Sequence, residues 1–332
     1  MSEIHKFLFD GLPVRGTLVR LTDAWQEILQ RRKANSTTGD YPAPVTELLG
    51  ELAAAAVLMQ SSIKFNGTLV LQIAGHGPVK LAVAEVQSDL RLRATATVMG
   101  EVPDGSSLSH MVNVNNQGRC AVTLDPQDKF PGQQAYQGVV PLFDDQRRPL
   151  EQISSVIEHY MLQSEQLDTT MVLAANDSVA AGLLIQRLPI QGDGNLAGSL
   201  VKSLGSANED EIGLNEHYNR LALFAKSLKR EELLGLDANE ILHRLFWEES
   251  IVRYPANTPH EPTFACTCSR ERVSSMILSL GQEEAASILA ERGDIEVSCE
   301  FCGQQQRFDP VDAAQIFMPS ATQPPTDTPH IQ

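Results

Sequence analysis

The pattern of apolar and polar positions divides the chain into regions of different character. From Ile4 to about Ile190, short runs with strand-like alternation, such as GTLVLQIAG, VKLAVAEV and TTMVLAA, are separated by turn signals and a few helical segments. Many strands with few helices are typical of an α+β domain. We therefore predict an α+β core domain with antiparallel-rich sheets over residues 1–190. The helices predicted within it cover residues 22–33, 42–64 and 150–163.

The next region, residues 191–261, is predicted to be a charged, metastable helical linker. Residues 207–261 contain six Lys or Arg and eleven Asp or Glu, a higher charged fraction than the 20% of the whole chain. Helices with a narrow apolar stripe depend on docking against another element. Two interpretations are open, an ordinary helical connector and a segment that folds only while its neighbours hold it. The apolar positions at helical spacing are Tyr218, Leu221, Ala225 and Leu228, then, after the N-cap Asp237, Ile241, Leu242, Leu245 and Phe246.

The third region, residues 262–318, precedes a proline-rich tail, residues 319–332, that we predict to be disordered. Its stretches SRERVSSMILSLG and QEEAASILAER predict two short helices. A module of this size has too little apolar core to stand alone, so a bound metal is expected to supply the missing stability. The residues expected to pack over the metal are Met276, Ile277, Leu280, Ile288 and Leu289.

Four of the five cysteines lie in this third region. Cys266 and Cys268 form a C-x-C pair, and Cys299 and Cys302 form a C-x-x-C pair thirty residues later. Two closely spaced pairs supply the four soft ligands of a tetrahedral zinc site. Gly303, directly after the second pair, can adopt a positive φ that turns backbone N–H groups toward the sulfurs. We therefore predict one zinc ion bound by these four cysteines.

Charge and composition limit the possible functions. The formal net charge of −16 is opposite to what nucleic-acid binding requires. The longest apolar run has eight residues, 52–59, and the first residues lack the pattern of a signal peptide. We therefore expect a cytoplasmic protein with neither nucleic-acid nor membrane partners. In that reducing compartment, clustered cysteines more often bind metal or respond to oxidants than form permanent disulfides.

The chemistry of the cysteines leaves three hypotheses. A zinc ion with four thiolate ligands has no open position for water, so no hydrolytic role and no catalytic residue are predicted. The zinc is then either a passive structural ion, in a constitutive protein-interaction protein, or a switch. Thiolates are the form of cysteine that oxidants attack, and loss of the metal would unfold the module and remove the docking partner of the linker. A thiol-disulfide oxidoreductase is the third hypothesis.

Several other residues are predicted to be structural. Cys120 is interpreted as a small apolar strand residue. Trp25 and Trp247 are interpreted as packing anchors, and the alanine-rich run at 53–56 as part of a buried helix. His260 lies near Cys266, but the four cysteines already complete a zinc ligand set.

Longer stretches carry a family resemblance over nearly the whole chain up to the tail. They are CTCSRER (266–272), ILAERGDIEVSCEFCG (288–303), RFDPVDAAQI (307–316), REELLGLDANEILHRLFWEE (230–249), and, more weakly, VRGTLVRL, YQGVVPL and SEQLDTT. With these motifs the chain resembles the redox-regulated 33 kDa heat-shock chaperone family, whose members are bacterial cytoplasmic holdases. Apparent insertions relative to that family lie near residues 31–39 and 195–211.

The resemblance implies a mechanism that the spacing alone does not give. In the family, the reduced, zinc-bound form is inactive. Oxidation under heat-shock and oxidative stress would form the disulfides Cys266–Cys268 and Cys299–Cys302, release zinc and unfold the linker. The resemblance further implies a homodimer in the oxidised state, which binds unfolding client proteins without ATP and is not an enzyme.

Overall fold

A computed structural model describes residues 1–35, 39–130, 132–188, 215–254 and 261–318. The chain forms two compact units, Met1–Ala265 and Cys266–Gln332. The division into four regions made from the sequence stays a prediction. The apparent insertion at 195–211 lies outside the described residues, as does the tail.

The described residues of the first unit form two sheets. In the five-stranded sheet the order is β10-β1-β2-β9-β8, and in the six-stranded sheet it is β11-β5-β4-β3-β6-β7. Every pairing is antiparallel except that of β11 with β5, so the predicted antiparallel-rich α+β fold is confirmed. The strands are β1 (Glu3–Phe9), β2 (Val14–Leu21), β3 (Gly67–Ala74), β4 (Val79–Gln87), β5 (Arg91–Val98), β6 (Arg119–Pro126), β7 (Tyr136–Pro141), β8 (Thr169–Ala175), β9 (Ala180–Arg187), β10 (Ile251–Arg253) and β11 (Thr263–Phe264).

The helices of this unit agree with the sequence pattern within a few residues. The three helices predicted in the core correspond to α1, α2 and α4, and the linker pattern corresponds to α5 and α7, the latter capped by Asp237 as predicted. The helices are α1 (Asp23–Ala34), α2 (Ala43–Ser62), α3 (Leu108–Met111), α4 (Ile153–Glu165), α5 (Glu216–Lys226), α6 (Arg230–Gly235) and α7 (Ala238–Phe246).

Helix α2 forms the centre of the main core. It packs against β4 of one sheet and β9 of the other, and the run Ala53, Ala54, Ala55 and Ala56 is fully buried. Small side chains let both sheets approach the helix closely, which explains the alanine-rich sequence. The interpretation of this run as a buried helix is confirmed. Trp25 of α1 is also fully buried, and its indole N–H donates to the Asn176 carbonyl at 2.7 Å.

The linker helices cover the other face of the five-stranded sheet. Phe7 and Phe9 of β1 point to this face and meet Phe246 of α7, with ring centroids 6.2 and 5.0 Å from it. The eight residues of β9 are all buried, because α2 covers one face of the sheet and the linker helices cover the other. A single cluster of buried residues therefore joins the sheet to the linker.

Polar contacts fix the position of the linker on the sheet. Arg20 of β2 donates to the carbonyls of Leu233 and Leu234 at 2.7 and 3.1 Å. Arg230 of α6 pairs with Glu47 at 2.8 Å and also donates to the Ala175 carbonyl. The sequence predicted a docking partner for these helices but placed it in the zinc module. That placement was wrong, because the apolar stripes pack on the N-terminal sheet.

The second unit is small. Its elements are α8 (Arg270–Leu280), α9 (Gln282–Arg292), β12 (Ile295–Ser298), β13 (Gln305–Phe308) and α10 (Pro310–Phe317). Strands β12 and β13 form an antiparallel hairpin. In neither unit do the described residues include a helix with the length and apolar character needed to span a membrane.

Candidate metal centre

The four cysteines of the second unit converge on one point. Their sulfur atoms all lie within 4.8 Å of one another. The Sγ atoms of Cys266 and Cys299 are 3.6 Å apart, and those of Cys268 and Cys302 are 3.3 Å apart. In a tetrahedral site with Zn–S bonds of about 2.3 Å, the sulfurs would lie about 3.8 Å apart. The arrangement therefore fits a metal ion held by four sulfurs.

The C-x-x-C pair sits on the turn of the β12–β13 hairpin. Ser298 and Gln305 are the last paired residues before the turn. Within it, the Cys299 N–H donates to the Gln304 carbonyl at 2.9 Å and the Gly303 N–H donates to the Cys299 carbonyl at 2.8 Å. Gly303 has a φ of 70°, as predicted, in a region that side chains with a Cβ rarely adopt. The turn thereby brings two sulfurs to one side of the hairpin.

The C-x-C pair lies directly before α8. Ser269 caps this helix by accepting a hydrogen bond from the Arg272 N–H, and the Arg272 guanidinium donates to the Thr267 hydroxyl at 2.7 Å. These contacts fix the backbone on both sides of Cys268. The C-x-C pair thus depends on the start of a helix, whereas the C-x-x-C pair depends on a hairpin.

Arg270 connects these two supports, a role that the sequence did not reveal. Its guanidinium donates to the Arg307 carbonyl at 2.8 Å and pairs with Asp312 of α10 at 2.7 Å. It also lies 4.2 Å from the centroid of the buried Phe308 ring. The available signal was its place in CTCSRER, directly after the cap of α8. Arg270 holds that helix against the hairpin that carries the other cysteines.

The apolar core behind the cysteines is small. Within residues 261–318 it has five buried residues, Ile277, Ala285, Ile295, Phe308 and Ala313. Of the side chains predicted to pack over the metal, Ile277 is buried, and Ile288 and Leu289 are partly buried against this core. Met276 and Leu280 are 44% and 50% exposed, so their prediction was wrong. So small a core makes metal binding an important part of the folding free energy of this unit.

The electrostatics of the cluster also favour a cation. Burial, with neighbouring thiols, raises the pKa of Cys268. Burial raises the pKa of Cys302 to about 11. The thiols of Cys268 and Cys302 therefore hold their protons near neutral pH unless a positive charge stabilises the thiolates. A divalent metal supplies that charge and displaces the protons.

Three residues outside the cluster were also interpreted from the sequence. Cys120 is fully buried in β6, and burial raises its pKa to about 12, so its interpretation as an apolar strand residue is confirmed. Trp247 is 69% exposed, so its interpretation as a packing anchor was wrong. His260 lies outside the described residues.

Comparisons with known proteins agree with this site. The model of the family described as Hsp33 protein matches residues 2–309. The chain belongs to the Hsp33 family. This confirms the redox-regulated chaperone family identified from the sequence motifs, and the four-cysteine cluster fits redox regulation.

Relatives in the family match the chain over almost its whole length. A 33 kDa chaperonin from Chromobacterium violaceum is 42% identical over 95% of this chain and 94% of its own length. One from Methylobacillus flagellatus is 40% identical over 99% of both chains. The crystal structure of a 33 kDa chaperonin (heat shock protein 33 homolog) from Thermotoga maritima has a TM-score of 0.68 at 20% identity. That match covers 94% of this chain and 97% of that chain, and shows a shared fold.

Proposed function

We propose that this chain is a redox-regulated, ATP-independent holdase of the cytoplasm that binds unfolding proteins under oxidative stress. The observation that carries the proposal is the convergence of four reduced cysteine sulfurs in a unit with a very small core. Because those sulfurs are at once the candidate metal ligands and the most oxidisable groups of the unit, one reaction can remove both the metal and the fold.

In the resting state, Cys266, Cys268, Cys299 and Cys302 would hold one zinc ion. Bound zinc supplies a positive charge that keeps the four sulfurs as thiolates. With all four positions taken by sulfur, the site has no place for a reacting water, which supports a role other than catalysis. In this state the linker helices stay on the sheet and the protein is inactive.

Oxidation would convert the thiolates in pairs to disulfides. With hydrogen peroxide, each pair of thiolates loses two electrons and forms one S–S bond, while the O–O bond breaks and takes up two protons to give two waters. The proposed pairs are Cys266 with Cys268 and Cys299 with Cys302. In the reduced structure, sulfur contacts of 3.6 and 3.3 Å join one pair to the other. Forming an S–S bond of about 2.05 Å within each motif therefore needs the turn and the start of α8 to rearrange. Disulfide sulfurs no longer coordinate zinc.

Loss of the metal would unfold the second unit. We propose that this unfolding spreads along the chain into β11, directly before Cys266, and that the linker then leaves the sheet on which it packs. Release would uncover the apolar face formed by Phe7, Phe9, Val14, Leu18, Leu183 and Ile185, together with the apolar stripes of the helices. Apolar surface of this size binds other unfolded chains by the hydrophobic effect. We propose that clients bind this face and that the oxidised protein dimerises, without nucleic-acid or membrane partners.

The direct test compares reduced, zinc-bound protein with protein treated with peroxide at elevated temperature. Suppression of aggregation of a thermally unfolding client is measured for both forms, together with released zinc and with disulfides mapped by mass spectrometry. We expect suppression only after oxidation, with one zinc lost as two disulfides form within the two motifs.

A matched control is the Cys120→Ala variant, which leaves the cluster intact and should switch like the natural protein. Equal suppression by the two forms would reject the switch. If instead removal of zinc abolished binding to a partner, the constitutive interaction protein would replace the holdase. Turnover of a disulfide substrate at catalytic amounts of protein would support an oxidoreductase.

A further inference from the structure

A cavity lies between the two sheets of the first unit, at the C-terminal end of α2. Its volume is about 90 Å³, and its walls come from β2, α2, β3, β6, α4 and β9. Much of the lining is aliphatic or thioether, including Met59, Leu69, Val122, Met161 and Leu184. Exposed Ile63 and Glu165 belong to its rim. The cavity is separate from the cysteines, so its role does not depend on the proposed holdase.

Among the described residues, one cation, Arg15, lines this apolar space. Arg15 of β2 donates from Nε to the Gln186 side-chain oxygen at 3.0 Å, and also from Nη2. Gln186 is 2% exposed, and its amide nitrogen donates to the Thr169 hydroxyl at 2.9 Å. This chain of hydrogen bonds fixes the orientation of Gln186 and, through it, that of the guanidinium. Arg15 is therefore held in place by a neutral partner.

No carboxylate among the described residues comes within ion-pair distance of Arg15. Glu165, on the rim, instead accepts a hydrogen bond from the Tyr160 hydroxyl at 2.9 Å. Burial lowers the pKa of Arg15. A half-buried cation without a counter-charge is unfavourable for the fold by itself, and an anion entering the cavity would compensate it.

A second cation strengthens the positive field. Lys6, on the neighbouring strand β1, donates to the Ser61 carbonyl at the end of α2 at 2.7 Å. Burial, and then repulsion from Arg15, lowers the pKa of Lys6. Lys6 does not line the cavity and has no ion pair with a described residue. The two positive charges outweigh the single negative charge of Glu165 on the rim.

We propose that this cavity binds short aliphatic monocarboxylates, with the carboxylate on Arg15 and the tail among the apolar side chains. A guanidinium binds a carboxylate by charge-assisted hydrogen bonds. An apolar cavity of 150 Å³ can hold benzene, so the smaller volume here would accept a tail of roughly three or four carbon atoms. Pentanoate has a carboxylate and a tail of this length.

The experiment titrates the reduced, zinc-bound full chain with pentanoate and follows the ¹³C methyl signals of its methionines by NMR. Met59 and Met161 line the cavity, so their signals should shift and saturate while those of the other methionines stay in place. Acetate has the charge without the tail, and pentan-1-ol has the tail without the charge. We expect both to bind at least about tenfold more weakly than pentanoate, the factor expected for loss of a charge-assisted hydrogen bond or of the tail contacts.

Variants separate the charge from the cavity. Arg15→Gln should weaken pentanoate binding by about tenfold or more and leave pentan-1-ol binding unchanged, and Lys6→Gln should weaken pentanoate binding by a smaller factor. Lys80→Gln, at an exposed lysine outside the cavity, is the matched control and should behave like the natural protein. The proposal is overturned if pentanoate shifts neither methionine signal, if pentan-1-ol binds as tightly as pentanoate, or if Arg15→Gln and Lys6→Gln both bind pentanoate unchanged. If a peptide with a C-terminal valine bound more strongly than pentanoate, the cavity would instead recognise the C-terminal ends of peptide chains.

Discussion

The linker helices and the C-terminal unit are both rich in charge, yet they are stabilised in different ways. The linker shares a cluster of 18 buried residues with the N-terminal sheet. The C-terminal unit has a cluster of five and four sulfurs at one point. The linker thus depends on an apolar surface, which oxidants do not attack, whereas the C-terminal unit depends on thiols, which they do. In the proposed switch, sensing therefore belongs to the C-terminal unit and the response to the linker.

The largest effect is expected from removing one sulfur of the cluster. Cys302→Ser should abolish tight zinc binding and unfold the C-terminal unit, because metal binding in small zinc modules contributes roughly 10–16 kcal/mol. Zinc content and amide exchange over residues 266–318 measure this, with Cys120→Ala as the control. If the metal-free variant kept its protection from amide exchange, the five-residue core would be enough to fold the C-terminal unit. The two regions would then not differ in how they are stabilised.

The next largest effect is expected where the linker meets the sheet. Phe246→Ala removes a buried ring that contacts Phe7 and Phe9, and should destabilise linker docking by about 3–5 kcal/mol. The reduced variant should then suppress client aggregation while still holding zinc.

The adjacent Trp247→Ala is the matched control, because that ring is exposed and its loss should change docking little. An inactive Phe246→Ala variant whose linker amides exchange rapidly would show that linker release alone does not create the binding surface.

A smaller effect is expected from Arg270→Ala, within the C-terminal unit. The substitution removes the contacts with Phe308, Asp312 and the Arg307 carbonyl without touching a sulfur. Zinc affinity should fall by a factor corresponding to about 1–3 kcal/mol, measured by competition with a chelator. Arg292→Ala, at an exposed position of α9, should leave the affinity unchanged. If the two variants bound zinc with equal affinity, Arg270 would not be needed to position the cysteines.

The smallest effect concerns pH and the partly buried Glu51 of α2, beside Arg230 of the linker. Burial raises the pKa of Glu51 from 4.5 to about 7, so its contribution to stability is present below the unfolded pKa and lost as pH rises through about 7. Relative to Glu51→Gln, the natural protein should lose about 1 kcal/mol of unfolding free energy across that range, since the side chain is 21% exposed and partly screened. If the free energy of unfolding depended on pH in the same way in the natural protein and in Glu51→Gln, this prediction would be contradicted. Glu27→Gln is the control and should follow the natural protein.

Much of this architecture could be predicted from local patterns. The alanine run could be interpreted as a buried helix because apolar residues surround it on every face, and the cysteine spacing indicated the metal centre because ligand chemistry restricts it strongly. The partner of the linker could not be predicted, since a narrow apolar stripe shows that a helix must dock but not on which surface. For the same reason Trp247, Met276 and Leu280 were assigned to packing although they are largely exposed. Arg270 was missed because its partners, Asp312 and the Arg307 carbonyl, lie far along the chain.

The burial of Cys120 determines which cysteines can take part in disulfide formation. A thiol with a pKa of about 12 inside β6 carries almost no thiolate near neutral pH, and no oxidant reaches it while the sheet is folded. The odd cysteine is thereby excluded from exchange with the four sulfurs of the cluster. With an even number of reactive sulfurs, each of them can end in a disulfide, which thiols can reduce again, and none is left over to be oxidised further.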